Sequence, residues 1–258
     1  AFCVLRVIIN IYGLDLMQQL DLGIITAAIA CITIITASIY AMKSNNLKER
    51  IAYSTVSQLS YMVLGGALLT PTGIRGGIMH IAMHAFAKIT LFFCAGSIYV
   101  ATRKSNVSEL NGIGRKMPWT MAAFAIATLS MVGIPPSGGF VSKWYLMIGS
   151  AEAKEFWTLI VLATSALLNA FYFVPIVMIG FFRPFKDVAP VVGKTGIITV
   201  PQSVGAAASS NVHNGGAAVK IQEPSLFVVV PLCITAVVSM VLGMYPNLLL
   251  EFIETMFP

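Results

Sequence analysis

The sequence predicts an all-α protein, a polytopic transmembrane helix bundle with one discontinuous helix. Three observations predict it. Of 258 residues, 57% are hydrophobic and only 10% charged, whereas a soluble domain carries roughly 25% charged residues. With a mean hydropathy of +0.86, the chain has too little polar surface to cover itself in water. Apolar runs long enough to cross a hydrocarbon layer of ~30 Å, which takes about 20 residues, follow one another along the chain. Finally, the lysines and arginines gather in the short loops between those runs, as topology signals do.

Residues 2–14 read as the tail of an earlier helix, because the first apolar run is already in progress at Ala1. That run carries Arg6 and has neither a basic start nor a clear cleavage site, so it is a poor signal peptide. A preceding part is expected, either missing or encoded elsewhere. Residues 22–42, 51–70 and 77–101 form the first three complete runs. Residues 119–150 form a long fourth run interrupted by Gly133, Pro135, Pro136, Gly138 and Gly139. Residues 156–182 are the fifth run and 225–250 the last.

Loop charge decides how the fourth run crosses. With the loop at 43–50 placed on one face and the faces alternated from there, eleven of the 16 basic residues share that face. They include Lys43, Lys48, Arg50, Arg103, Lys104 and Arg115. Arg75 and Lys154 fall opposite, while Arg6, Lys88 and Lys143 lie inside apolar runs. This asymmetry puts the basic face in the cytoplasm of a cell (inner) membrane. It holds only if residues 119–150 cross once, as a broken helix; two crossings would move the loop after residue 183 to the other side. The chain therefore divides into a membrane domain over 1–183, a cytoplasmic linker over 184–224 and a C-terminal transmembrane helix over 225–258. The linker holds the low-complexity stretch GAAASSNVHNGG at 205–216, a flexible composition in which His213 reads as solvated.

A net charge of +6 would suggest nucleic acid in a soluble protein; here the loop positions explain it, and no nucleic-acid partner is expected. Cys3, Cys31, Cys94 and Cys233 sit apart in apolar runs. They read as buried small hydrophobes rather than a disulfide or metal framework. No metal and no cofactor is expected, and no catalytic chemistry of the chain's own.

Ionisable residues inside a membrane are costly and mark function by default. None of the ten acidic residues lies deep in a run. The buried titratable set is therefore His80, His84, Lys88 and Lys143, all bases. Either the lysines are neutral part of the time or a partner supplies carboxylates, and both arrangements suit proton transfer. His80, His84 and Lys88 follow at i, i+4 and i+8, so they stack on one helical face. Histidine shuttles protons through its two nitrogens, so the three side chains and intervening waters can form a relay. The plainer reading is three core residues hydrogen-bonded to neighbouring helices. Haem is disfavoured because two histidines on one helix cannot ligate opposite sides of one haem. A metal is disfavoured because no carboxylate or thiolate completes the shell.

Lys143 follows the break, with Ser142 beside it. Pro135 and Pro136 cannot continue the hydrogen-bond ladder, and Ser137 or the glycines can start a new half-helix. Lys143 is then expected in its first turn or so, near a helix N-terminus that disfavours a cation. Broken membrane helices are tolerated where they line a wet cavity or are buried in protein, and they recur at transporter ion sites. The plainer reading is a lysine that snorkels to the interface. Ser54, Ser57, Gln58 and Tyr61 share a face of the 51–70 run, and Ser165, Asn169 and Tyr172 share one in the fifth. These polar faces suit either a wet interior or interhelical hydrogen bonding.

The segments NLKERIAYSTVSQLSYM (46–62), HIAMHAFAKITLFFCAG (80–96), GIGRKMP (112–118) and GIPPSGGFVSKW (133–144) occur in an order that resembles one family. They resemble the antiporter-like subunits of respiratory complex I, membrane-bound hydrogenases and multisubunit monovalent cation/proton antiporters. Within that family, the ending SKWYL at 142–146 looks closest to the D-type component of the cation/proton antiporters. The resemblance implies two inverted five-helix repeats, of which this chain looks like the end of the first and all of the second. It also places His80, His84 and Lys88 on the connecting relay and Lys143 on the terminal lysine of the second broken helix. The first repeat's glutamate–lysine pair has no counterpart here. The resemblance implies partner membrane subunits, and protons with Na+ or K+ as the ions moved. The expected function is proton translocation in such a complex, and the alternative is a non-conducting structural subunit of it. A small-solute carrier is the third reading, which would need a midplane cavity.

Overall fold

A computed structural model describes residues 2–184 and 223–256. Among them the regular structure is helical. Four helices are long and apolar enough to cross a membrane on their own: α3 (Leu22–Lys43), α5 (Pro71–Thr102), α8 (Phe156–Phe182) and α9 (Leu226–Met244). Preceding them in chain order are α1 (Phe2–Arg6) and α2 (Leu14–Gln19). α4 (Leu47–Ala67), α6 (Pro118–Val132), α7 (Gly138–Glu152) and α10 (Asn247–Met256) complete the set. Large apolar side chains such as Ile25, Ile29 and Ile32 on α3 and Phe171 on α8 face outward, as a lipid-facing surface requires.

α4 starts where Asn46 accepts hydrogen bonds from the backbone N–H groups of Lys48 and Glu49, at 3.0 and 3.4 Å. This satisfies two of the four donors that every helix start leaves free. Less apolar than its neighbours, α4 buries Ser54, Ser57, Gln58 and Tyr61 completely, so its polar face points inward. Glycines let α4 and α5 approach closely. A Cβ on Gly65 would lie 2.7 Å from both the Gly73 carbonyl oxygen and the Gly77 Cα. α5 begins with Pro71 after Thr70, whose hydroxyl accepts from Gly73 N. With 32 residues at ~1.5 Å each it is about 48 Å long, well over the hydrocarbon thickness.

α6 and α7 pass along α5 in one direction. Thr120 meets Cys94, Gly138 meets Met83, Ser142 meets His80, Leu146 meets Gly76 and Gly149 meets Gly73. The two half-helices therefore make a single interrupted crossing, as the loop charges require. Gly133, in the left-handed region at φ 88°, ends α6, and its N–H bonds back to Leu129. Only a residue without a Cβ adopts that turn freely. The start of α6 is capped from far along the chain. The Glu223 carboxylate accepts from Trp119 N, Thr120 N and the Thr120 hydroxyl at 2.8, 3.3 and 2.8 Å.

Several expectations change. The apolar run over 225–250 is two helices, because Pro246 forces Tyr245 out of the helical region (φ −123°, ψ 66°). The 2–14 run is α1 followed by a π-helical stretch over Val7–Tyr12, and the further helix α2 begins after Gly13. Cys3 is exposed, whereas Cys31 and Cys94 are buried. Most of the 184–224 linker, including His213, lies outside the described residues.

Candidate functional site

His80, His84 and Lys88 rise one turn apart on the inner face of α5 and are all buried. His80 is held at both ring nitrogens: Nδ1 lies 2.8 Å from the Ser142 hydroxyl on α7 and Nε2 2.9 Å from Gln58 Oε1 on α4. Its ring stacks on Tyr61 at 5.6 Å and on His84 at 5.8 Å between centroids. His84 Nδ1 has no hydrogen-bond partner among the described residues, and neither does Gln58 Nε2. A buried polar atom left unpaired costs free energy unless water reaches it, so this strip of the interior suits water.

The two lysines sit at the ends of the strip. Lys88 Nζ donates to the Ile51 carbonyl at 2.7 Å and to the Ser54 hydroxyl at 2.5 Å, and stands 5.8 Å from the Phe173 ring. Lys143 Nζ donates to the Met131 and Val132 carbonyls at 2.6 and 3.0 Å, 5.5 Å from the Tyr61 ring. Lys143 is only 4% exposed, so it does not snorkel to the surface.

One expectation about Lys143 is corrected. It is the sixth residue of α7 rather than part of its first turn. Its side chain runs back across the break to the last carbonyls of α6. Those carbonyls lack helical donors and form the negative end of that half-helix. The break therefore presents Nζ with a C-terminus that attracts a cation, and not only with the N-terminus of α7.

The supporting polar residues divide into three groups. Ser54, Gln58, Tyr61 and Ser142 touch the row of buried bases directly. Ser57 and Ser165 instead meet at Ser38, whose hydroxyl lies 3.0 Å from that of Ser57 and 3.3 Å from that of Ser165. On α8, the Tyr172 hydroxyl donates to Asn169 Oδ1. Ser38 and Ser130 were not expected; Ser130 Oγ accepts the Gly139 N–H at 3.3 Å and ties the two half-helices together. Among the described residues no group of three or more His, Cys, Asp or Glu side chains comes together to hold a metal ion.

Comparison with known proteins shows the family of the chain. Residues 4–169 match the family described as NADH:quinone oxidoreductase/Mrp antiporter, TM. The chain belongs to this family. Among members of the NADH:quinone oxidoreductase/Mrp antiporter family, NADH-quinone oxidoreductase subunit N of Desulforudis audaxviator is 35% identical over 212 residues. That match covers 82% of this chain and 39% of that protein. F(420)H(2) dehydrogenase subunit N of Methanosarcina mazei is 26% identical over 192 residues, covering 71% of this chain and 38% of that protein. In fold, the chain is similar to one in the Mrp complex of a Dietzia species. The TM-score is 0.74 at 23% identity, covering 89% of this chain and 45% of that one. The chain thus spans about two fifths of the length of the curated relatives it matches. The family read from the motifs is borne out; the D-type antiporter component is not singled out by these matches.

Proposed function

We propose that this chain is a proton-translocating membrane subunit of a multisubunit complex, either a cation/proton antiporter or a related respiratory or hydrogenase complex. Protons pass between Lys88 and Lys143 through His84, His80 and the waters beside them. The observation that carries this reading is the uninterrupted row of buried bases, with His80 clamped between Ser142 and Gln58. Clamping both ring nitrogens fixes which one holds the proton, and a shift along the row reverses that assignment. Family membership supports the same reading. Within this chain the lysines are met by carbonyl and hydroxyl oxygens, so we assign the neutralising carboxylates to a partner membrane subunit. Na+ or K+ is the candidate coupled ion. The basic loops face the cytoplasm of the inner membrane in this proposal.

A second reading rests on its own observation. Lys143 bridges the two half-helices through backbone carbonyls, as a purely structural clamp would, and the chain would then be a non-conducting subunit. Proton flux in inverted vesicles holding the whole complex separates the two. Lys143→Ala and Lys88→Ala, at matched expression, are expected to abolish flux while the complex still assembles. Unchanged flux in both variants leaves the chain as scaffold.

A further inference from the structure

A cleft of about 360 Å³ opens at the end of the bundle that carries the basic loops. Asn45, Arg50, Ser108, Tyr172, Pro175 and Arg183 line it. Its volume admits several waters, and its polar groups can hold them. The floor is Tyr172, which is almost wholly buried. The rim is rigid. Leu47 N bonds to the Ser105 carbonyl and Val107 N to the Asn45 carbonyl, both at 2.8 Å. Arg50 donates to the Ser44 carbonyl at 2.9 and 2.7 Å and to the Tyr172 carbonyl at 3.1 Å. Pro175 inside α8 has no N–H to give, so the Phe171 carbonyl one turn back lacks its i+4 helical donor.

From that floor a line of hydroxyls leads inward. The Tyr172 hydroxyl donates to Asn169 and also interacts with the Ser54 side chain. Ser54 in turn accepts from Lys88 Nζ. Asn169 Nδ2 is buried and without a hydrogen-bond partner among the described residues. Cleft, tyrosine, serine and lysine therefore follow one another from the surface to the first base of the row.

We propose that this cleft is the mouth of the relay on the basic face, and that Tyr172 and Ser54 hand protons from its water to Lys88. The proposal rests on the relay reading above. The proton count closes at each step. A hydrated proton in the cleft joins the Tyr172 oxygen as the tyrosine's own proton turns from Asn169 to Ser54. Ser54, whose hydroxyl donates to the Ile51 carbonyl at 2.7 Å, turns that proton to the neutral amine of Lys88, and both hydroxyls end with one proton each.

The test uses the whole complex in inverted vesicles whose basic face points outward. Tyr172→Phe removes the hydroxyl and keeps the ring. Ser108→Cys places a thiol on the rim for a membrane-impermeant thiol reagent, with treated wild type as the baseline. Flux is expected to fall at least fivefold in Tyr172→Phe, and at least fivefold when Ser108→Cys is labelled. If both keep more than half their flux while Lys88→Ala abolishes it, protons enter elsewhere; the mouth is overturned and the relay stands. If Lys88→Ala itself retains normal flux, relay and mouth fall together.

Discussion

Replacing Gly139 with alanine perturbs the site without touching any ionisable group. A Cβ at this position would overlap the Ser130 carbonyl, with no side-chain tip to move aside. The half-helices α6 and α7 must then separate. Lys143 reaches across that junction with bonds of 2.6 and 3.0 Å to Met131 and Val132, and a hydrogen bond stretched past ~3.5 Å has ceased to be one. Overpacking costs about 1–3 kcal/mol, and interhelical hydrogen bonds in membranes average ~0.6 kcal/mol each. Together they predict a loss of roughly 2–4 kcal/mol, with proton flux falling because Lys143 no longer sits at the end of α6. Gly96→Ala is the control, since its Cβ would meet nothing within 4 Å and helix propensity favours the change. The assay is thermal unfolding of the purified complex beside vesicle flux. If Gly139→Ala unfolds and conducts like Gly96→Ala, the clamp across the break is not what holds Lys143.

Two further substitutions separate conduction from stability. Ser142→Ala removes the partner of His80 Nδ1; flux should drop several-fold while stability falls by only about 1 kcal/mol, the worth of one hydrogen bond, as read by flux and melting temperature on one preparation. Glu223→Ala uncaps α6, which costs roughly 0.5–2 kcal/mol; the melting temperature should fall while flux at matched assembly stays normal.

Much of this was legible in the sequence, for identifiable reasons. A periodic set such as His80, His84 and Lys88 announces its shared face by spacing alone, and the prolines at 135–136 announce the break. Side chains can be read from sequence in this way, whereas their backbone partners cannot. The groups that hold Lys143 are the carbonyls of Met131 and Val132, atoms that every residue has, so the sequence exposes only the start of α7. Ser38 bonds the Ile34 carbonyl of its own helix, as an isolated serine in an apolar run does. Its meeting with Ser57 and Ser165 depends on how three helices pack. Arg50 reads as one more basic loop residue, although its guanidinium staples α4 to the Ser44 and Tyr172 carbonyls. The end of α9 has its signal in Tyr245-Pro246, a single proline that the hydrophobicity of the residues around it masks.

The length of α5 has an electrical consequence. The 32-residue α5 has its midpoint near Phe86 and Ala87; with that midpoint set at the bilayer centre, His84 and Lys88 lie within about 4 Å of the midplane at ~1.5 Å per residue. A proton resting there has crossed roughly half of the membrane field. Since a full crossing is worth ~2.3 kcal/mol per 100 mV, each half-passage feels about 1.2 kcal/mol. In the proposed relay, membrane voltage therefore acts on the filling and the emptying of the row to nearly equal extents, and neither step alone carries the whole electrical load.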